Sequence, residues 1–398
     1  MLAVTVWMNM PSFYQDDLFA DLAGKVDLRV VYDHGLTEDR RQLGWPETAK
    51  KYPSRVLSPS LKVRHAMSIA RAELDRVHVI NGVWAESAFT AAAFVLGRAG
   101  ARVSIYAECP DITVHRSMLR RSARTVIGRW MARHASGLFA VSHFARDYFA
   151  HMGFPKDNIY PFGYFRATPG GVTLIHADAI NLVYVGQLVH RKGIDVLLEA
   201  MAPLWAVYPN VNLRLIGVGS EHASIVAKVL QDGIAHRVTV EGPLPSSQIH
   251  EFLGRSSTLV LPSRWDGWGL VINEALSAGI PVIASDRCGA SDLVLHGVNG
   301  YVFRSEDVVS LRACLRALLE ADDAQMRSAA LETSTALTIP VVSSYFVECL
   351  GHMCGLRSDK PTPPWEEVLS RLRPDSNVLR DVDPASWEEV SATKQKSA

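Results

Sequence analysis

Two carboxylates with seven residues between them mark residues 262–285, which read PSRWDGWGLVINEALSAGIPVIAS. Asp266 precedes a Gly-rich turn, and Glu274 lies in the helical pattern that follows it. Apolar runs at 258–261 and 280–284 flank both acids, so the segment predicts strand, loop, helix and strand in that order. Acidic groups at the carboxyl end of a parallel strand lie where open α/β sheets bind ligands. A carboxylate there can accept two hydroxyl hydrogen bonds at once, which predicts a site for a ribose or another sugar.

This spacing resembles the E-x7-E signature of retaining glycosyltransferases of family 4, also called group 1, which have the GT-B fold. The first acid of that signature is usually Glu, whereas here it is the shorter Asp266. The resemblance implies that Asp266 contacts the hydroxyls of a donor sugar and that Glu274 contacts the ribose of its nucleotide. It also assigns the four residues after Asp266 to the donor: Gly267, Trp268, Gly269 and Leu270. The alternative is a surface helix that carries two solvated acids.

A second candidate site begins where a predicted strand ends at Gly186, in the segment VGQLVHRKGIDVLLEA. Lys192 stands at the start of an amphipathic helix, where free backbone N–H groups and a partial positive charge favour an anion. Its ammonium adds a full charge at the place where a diphosphate would lie. The segment resembles the family pattern G-R-L-x-x-x-K-G, with Gln187 in place of the Arg. Arg191 is a candidate to restore that charge, although its position next to Lys192 points elsewhere on a helix or loop. The alternative for Lys192 is an exposed surface lysine.

The next predicted strand ends in a short glycine loop with Gly217 and Gly219. In register after the Lys192 segment, this loop resembles the family's second nucleotide-facing loop. We predict no metal ligands and no cofactor besides the donor. The pair Asp381 and Asp383 has the Asp-x-Asp spacing that binds metal in another glycosyltransferase fold, but it lies in a Pro-flanked tail, which we interpret as solvated.

The N-terminal half shows weaker signals. Glu108 follows a predicted strand, at a point where relatives carry an important His, and we interpret it as either a residue of the active site or a structural one. His115 lies seven residues further on and could replace that His only if the loop turned back. Asn9, Ser12 and Gln15 follow the first strand and could line the same cleft.

Residues 116–133 form a basic amphipathic pattern without any acid. Apolar side chains interleave with six arginines: Arg116, Arg120, Arg121, Arg124, Arg129 and Arg133. Such a helix can lie on anionic lipid and would suit an enzyme with a lipid-linked acceptor. A solvated face over the core is the alternative.

Composition sets the outer limits. The 398 residues exceed what one hydrophobic core usually organises, so we expect two domains. The formal net charge is zero, so no overall electric field attracts the protein to nucleic acid. Five scattered cysteines argue against a disulfide framework. The N-terminus LAVTVWM resembles a core strand rather than a secretory signal, and the longest apolar stretch, 88–97, is too short to span a bilayer. We therefore expect a cytoplasmic protein that at most rests on the inner face of a membrane.

Alternating strands and helices predict doubly wound parallel sheets. Strands are predicted at 3–8, 27–32, 77–80, 103–107 and 137–141, and then at 181–186, 212–217, 238–242, 258–262, 281–285 and 300–303. A Pro- and Gly-rich stretch at 166–173 predicts a hinge. We expect an acceptor-side domain at 1–165, a nucleotide-sugar domain at 171–340, and a segment at 341–398 that packs back as a helix before a disordered tail. Two such Rossmann-like domains facing a cleft would be the GT-B architecture that the resemblance implies.

These patterns predict a metal-independent retaining glycosyltransferase that uses a nucleoside-diphosphate sugar. Its acceptor is unknown, with a polysaccharide or a lipid-linked molecule as candidates. Lys192, Asp266 and Glu108 are the predicted catalytic residues. A nucleotide-sugar isomerase of the 2-epimerase kind on the same fold is one alternative. A non-catalytic subunit that binds a nucleotide sugar is the other, because Gln187 and Glu108 replace the usual Arg and His.

Overall fold

The computed structural model describes residues 1–42, 49–81, 86–111, 118–168, 180–321 and 323–373. For residues 39, 42, 118–121, 246, 247 and 323 it describes the backbone alone. The strands are β1 Ala3–Met8, β2 Asp27–Tyr32, β3 Ser54–Val56, β4 Val77–Asn81, β5 Val103–Glu108, β6 Gly137–Val141, β7 Ile159–Phe162, β8 Ile180–Val185, β9 Val211–Ile216, β10 Val238–Glu241, β11 Thr258–Leu261, β12 Val282–Ser285 and β13 Gly300–Phe303. The helices are α1 Phe13–Ala23, α2 Glu38–Gln42, α3 Lys62–Ala72, α4 Ser87–Arg98, α5 Met118–His134, α6 Ser142–His151, α7 Ile194–Met201, α8 Leu204–Val207, α9 His222–Gln231, α10 Ser246–Gly254, α11 Val271–Ser277, α12 Val308–Glu320, α13 Asp323–Thr335, α14 Ile339–Met353 and α15 Pro364–Leu372.

The chain divides into two compact units. The first contains residues 1–168, 267–270 and 335–367, and it holds a parallel sheet in the order β3-β2-β1-β4-β5-β6-β7. Strand β6 is buried along its whole length, as expected for a parallel sheet covered on both faces. Because the strand order reverses between β1 and β4, the crevice at their carboxyl ends is the place where such a sheet binds ligands.

The second unit holds the other parallel sheet, in the order β10-β9-β8-β11-β12-β13. Its order reverses between β8 and β11, which pair through Thr258 and Leu182. The loops after these two strands carry Lys192 and Asp266. Topology alone therefore brings the two strongest candidates from the sequence to one switch point, which is the place in a sheet where the strand order reverses.

The predicted α/β fold with two Rossmann-like sheets is confirmed. Every predicted strand is present, and β1, β2, β6 and β13 have the predicted bounds. Two strands of the first sheet, β3 and β7, were not predicted. Strand β3 has three residues, all exposed, so it has no apolar pattern. Strand β7 is a short edge strand that contains Pro161, and proline is depleted in strands except at edges.

Helix α14 packs against α1 in the first unit. The Phe346 ring stacks on Phe139 of β6 at 4.3 Å, and Lys25 donates a hydrogen bond to the carbonyl of Pro340 at 2.9 Å. The predicted hinge lies partly, and the predicted disordered tail mostly, outside the described residues. Asp381 and Asp383 also lie outside them. Within the residues that the structure describes, no helix combines the length and the apolar composition that crossing a bilayer requires.

Candidate functional site

Lys192 and Asp266 form an ion pair in the second unit. Lys192 is 7% exposed, which excludes the alternative that it is an exposed surface lysine. It ends a short 3₁₀ turn, and α7 begins two residues later. Asp266 is held at the carboxyl ends of its sheet because its backbone bridges to Cys288, the third residue after β12. A buried ammonium and a carboxylate therefore meet at the start of a helix, at the switch point.

Arg264 fixes the distance between the two loops that carry this pair. Its guanidinium donates to both carboxylate oxygens of Asp195, at 2.9 and 2.7 Å, and to Glu306 at 2.9 Å. It also donates to the carbonyl of His190 at 2.8 Å. The hydrogen bonds from Arg264 hold the pKa of the Asp195 carboxyl below its usual value. A bidentate pair of this kind adds geometric precision as well as energy. Sequence reasoning missed Arg264, although it lies inside the PSRWDG motif.

Arg191 contacts the side chain that replaces the family's Arg. One guanidinium nitrogen of Arg191 donates to Gln187 Oε1 at 3.3 Å and another to the carbonyl of Trp265 at 3.2 Å. Of the two alternatives for Arg191, the structure supports restored charge, because the turn between the two residues brings positions 187 and 191 together. A positive charge is thus present where Gln187 lacks one.

The hydroxyl of Tyr184 donates to the carbonyl of Gln187 at 2.7 Å and fixes the same loop. Burial, and then the charge of Asp266, raise the pKa of Tyr184. Tyr184 therefore stays protonated and acts as a hydrogen-bond donor to the loop.

The glycines of the second predicted loop pack against protein backbone. A Cβ at Gly217, where φ is +145°, would lie 1.9 Å from the carbonyl oxygen of Gly186, and one at Gly219 would lie 2.1 Å from that of Leu188. Backbone hydrogen bonds from Leu188 to Val218 and from Glu221 to Leu188, both 2.9 Å, join the same loops. Close approach of these loops accounts for both glycines, and their contact with a nucleotide stays a prediction.

Glu274 lies in the first turn of α11 and is half-buried. Its helix follows the loop after Asp266 without interruption, so both acids lie at the carboxyl side of β11. The helical assignment of Glu274 agrees with the sequence, while its contact with a ribose stays a prediction.

The first unit has a polar cavity of about 290 Å³ at its own switch point. Its lining comes from the end of β1 and the start of α1, from α2, from the ends of β4 and β5, and from the residues after β7: Met8, Asn9, Met10, Ser12, Tyr14, Gln15, Arg40, Asn81, Ala107, Glu108 and Tyr164. The predicted residues Asn9, Ser12, Gln15 and Glu108 are thus brought together. Arg40, Asn81 and Tyr164 were missed, since they come from separate segments that carry no motif, and Tyr14 was missed although it lies between Ser12 and Gln15.

Glu108 lies at the end of β5 and accepts a hydrogen bond from the hydroxyl of Tyr164. The rings of Tyr14 and Tyr106 lie 5.5 and 5.8 Å from the ring of Tyr164. Burial, and then the charge of Glu108, raise the pKa of Tyr164, so its hydroxyl keeps the proton that it donates. The cavity thus combines a carboxylate, amides and aromatic faces. His115 lies outside the described residues.

The loop of residues 267–270 belongs to the first unit, although Asp266 and Val271 on either side belong to the second. Trp268 is 3% exposed and lies against Gly163 and Phe165. A Cβ at Gly267 would lie 2.2 Å from Glu108 Oε2, so only glycine fits there without movement of that carboxylate. This enclosure gives Trp268 a packing role, whereas its contact with a donor stays a prediction.

Asp33, His34 and Glu86 bring possible metal-ligand atoms within 4.8 Å of one another. Lys62 donates to Asp33 at 2.6 Å, which neutralises the buried carboxylate. Burial, and then the charge of Asp33, raise the pKa of Glu86. The Lys62 ion pair thus gives the Asp33 carboxylate a partner of opposite charge within the protein.

Comparisons with known proteins agree with this geometry. The family model "Glycosyl transferases group 1" matches residues 172–333. Over 149 residues the chain is 29% identical to the glycogen synthase of Mycobacterium tuberculosis, and over 156 residues it is 34% identical to the D-inositol 3-phosphate glycosyltransferase of Thermobispora bispora. Each match covers 37% of this chain and 36% of the relative. The chain thus spans about a third of the length of these curated relatives.

Solved structures match over most of the chain. The Anabaena protein HepE, crystallised in complex with UDP, has a TM-score of 0.69 at 18% identity over 88% of this chain and 100% of that one. The lipopolysaccharide outer core galactosyltransferase WaaB in its apo form has a TM-score of 0.66 at 15% identity, over 88% of this chain and 99% of that one. These likenesses define the class: the chain has the GT-B fold. Within it, residues 172–333 are similar to the group 1 glycosyl transferases, whose family model they match.

Proposed function

We propose that this chain is a retaining glycosyltransferase that moves a hexosyl group from a nucleoside-diphosphate sugar to a hydroxyl acceptor. The single observation that carries the proposal is the Lys192–Asp266 ion pair at the switch point of the six-stranded sheet. The group 1 match covers the same sheet. HepE, which shares the fold, was crystallised with UDP.

The Lys192–Asp266 ion pair leaves hydrogen-bonding groups on both residues that can bind the nucleotide sugar. An ammonium has three N–H donors, so Lys192 can keep Asp266 and still donate to phosphate oxygens. Asp266 accepts from Lys192 through Oδ2, which leaves Oδ1 to accept from a sugar hydroxyl. Glu274 would accept from the ribose hydroxyls. Arg191, beside Gln187, would add positive charge on the diphosphate side.

Transfer breaks the bond between the anomeric carbon and the β-phosphate oxygen, and the electron pair leaves with the nucleoside diphosphate. The acceptor oxygen bonds to the same carbon and gives up its proton to the released diphosphate. Negative charge then grows on the β-phosphate. Lys192, the N-terminus of α7 and backbone amides near Gly269 would stabilise that charge, so we expect activity without a metal ion or cofactor.

In the first unit, Glu108 is the residue that we expect to contact the acceptor. The Tyr164 hydroxyl bond fixes one carboxylate oxygen and aims the group. The cavity around it offers amides and hydroxyls that match a polyhydroxylated ligand. A polysaccharide end or the sugar of a lipid-linked carrier would present such hydroxyls. Peripheral membrane contact through residues 116–133 is part of the proposal, because it would bring a lipid-linked acceptor to the enzyme.

Product analysis tests this function. The protein is incubated in EDTA with UDP-, GDP-, ADP- and TDP-sugars, with methyl glycosides as model acceptors, and the products are separated by chromatography. Free nucleoside diphosphate from one base series is the expected result, through transfer or slow hydrolysis. A new intact nucleotide sugar would instead show an epimerase. Binding without any product would show a non-catalytic subunit.

A further inference from the structure

The charged residues of helices α3, α4 and α5 in the first unit are all basic, with Lys62 of α3 already paired with Asp33. The sequences of these helices contain no Asp or Glu, while Lys and Arg number three in α3, one in α4 and five in α5. The rest of the chain balances this excess, since the formal net charge is zero. The positive charge is therefore local, and we call these three helices the basic face.

The three helices are joined into one surface. Helices α3 and α4 pack side by side and border an open groove of about 620 Å³. The Phe94 ring of α4 lies 4.1 Å from the Trp130 ring of α5, and Trp130 stacks on His134. A Cβ at Gly97 would lie 2.6 Å from the Trp130 ring, so this glycine lets α5 approach α4 closely. Phe94, which lines the groove, thus connects it to α5.

Arginines stand beside exposed apolar side chains on this face. Arg71 and Arg98 both line the groove, and both are exposed, as are Arg129 and Arg133 of α5. Within the described ranges, none of these four has an ion pair. Between them lie Leu74 at 42% exposure, Phe94 at 37% and Val126 at 68%. Val126, Arg129 and Arg133 share one side of α5, because they are spaced three and four residues apart.

We propose that the basic face docks on a lipid bilayer that contains anionic headgroups. The inference extends the membrane contact of the proposed function to α3 and α4. It rests on that function only for the reason to bind a membrane, which is access to a lipid-linked acceptor. The four arginines match the negative surface potential of such a bilayer. Leu74, Phe94 and Val126 leave water when they enter the boundary between headgroups and acyl chains, as in interfacial amphipathic helices. The phosphates of nucleic acid would pair with the arginines, but nucleic acid offers no apolar layer that the three apolar side chains could enter.

Vesicle sedimentation of the full chain tests the proposal. Vesicles of phosphatidylcholine with one quarter phosphatidylglycerol should bind the parent protein, and vesicles of phosphatidylcholine alone should bind it far less. The variant R71E/R98E/R133E should bind the anionic vesicles at least about a hundredfold more weakly, since loss of each arginine costs roughly one kcal/mol, at 1.4 kcal/mol for each tenfold, and each added Glu is repelled as well. Its matched control is K228E/R255E/R373E, which changes the charge of exposed second-unit residues by the same amount and should bind like the parent.

The variant L74S/V126S keeps every charge and covers the case in which the arginine variant fails to fold. Its binding should be weaker than that of the parent, most clearly at high salt, where the apolar contribution remains. Equal parent binding to both vesicle types would overturn the proposal, as would equal loss in the arginine variant and its control. Binding to a DNA duplex without binding to vesicles would overturn it in favour of nucleic acid.

Nucleoside diphosphate binding is measured in parallel. Vesicle binding by a protein that binds no nucleotide would remove the proposed function and keep this inference. Nucleotide turnover without vesicle binding would do the reverse.

Discussion

The two sheets of this protein place polar residues at the same topological position, but they fix them in different ways. In the second unit, Lys192 and Asp266 come from loops that Arg264 clamps through a bidentate pair with Asp195. In the first unit, Glu108 lies in a cavity whose polar walls come from five separate stretches of chain. A rigid ionic site suits the constant part of a donor, its diphosphate and ribose. A cavity built from dispersed side chains suits the variable part of a reaction, its acceptor.

Removal of Lys192 should have the largest effect. Lys192→Ala deletes the ammonium assigned to the leaving diphosphate, so turnover should fall by about 10² to 10³, as for loss of one preorganised transition-state donor. Nucleoside monophosphate binding should change much less. Steady-state release of nucleoside diphosphate and calorimetry measure the two effects.

The control for Lys192→Ala is Lys228→Ala, at a half-exposed lysine paired with Asp232 at 2.8 Å. It should keep the parent's turnover. Equal losses of turnover and of monophosphate binding in Lys192→Ala would contradict the diphosphate assignment.

Removal of Glu274 should have a smaller effect, and it should act on binding. Glu274→Ala takes away a charged acceptor of ribose hydroxyl hydrogen bonds, each worth about 1.5–3 kcal/mol, so nucleoside diphosphate should bind roughly 10- to 100-fold more weakly. Glu251→Ala, at an exposed glutamate paired with Arg255, is the control and should bind normally. An unchanged dissociation constant in folded Glu274→Ala would remove the ribose assignment.

A change at Gly267 in the first unit should lower transfer more than it weakens binding of the nucleoside diphosphate. In Gly267→Ala the new methyl group meets Glu108 Oε2 and displaces the carboxylate, so transfer to the acceptor should fall about tenfold, in line with the cost of overpacking. Gly242→Ala, which meets nothing within 4 Å, should retain transfer. The same loss in both variants would mean that the effect does not arise at Glu108.

The smallest expected effect comes from the Arg264–Asp195 ion pair, which we call the clamp. Arg264→Lys keeps the charge but loses the fork that spans both oxygens of Asp195, so nucleotide affinity should drop about threefold, below the effect of Glu274→Ala. A double-mutant cycle with Asp195→Asn measures the coupling. Additive effects would show that the clamp does not position Lys192 and Asp266.

The same contrast explains how much the sequence could predict. Lys192, Asp266 and Glu274 lie in contiguous motifs next to apolar strands, so their place at the sheet edge follows from local pattern. The contact of Arg191 with Gln187 depends on the direction of a turn, which spacing does not reveal. Tyr14 and Tyr164 meet Glu108 only after the chain has folded, because long-range packing brings them together. Strand β3 was missed because it is short and exposed, and β7 because it contains Pro161, whereas the predicted strands are apolar runs.

Binding of nucleotides to the parent protein and to Lys192→Ala tests the central claim most directly. Calorimetry is run with the di- and monophosphates of uridine, guanosine, adenosine and thymidine. The account predicts that one diphosphate binds the parent at least about tenfold more tightly than its monophosphate, and that Lys192→Ala abolishes this difference. Parent protein that binds di- and monophosphate equally, or a difference that persists in Lys192→Ala, would contradict a diphosphate site at the switch point of the second sheet.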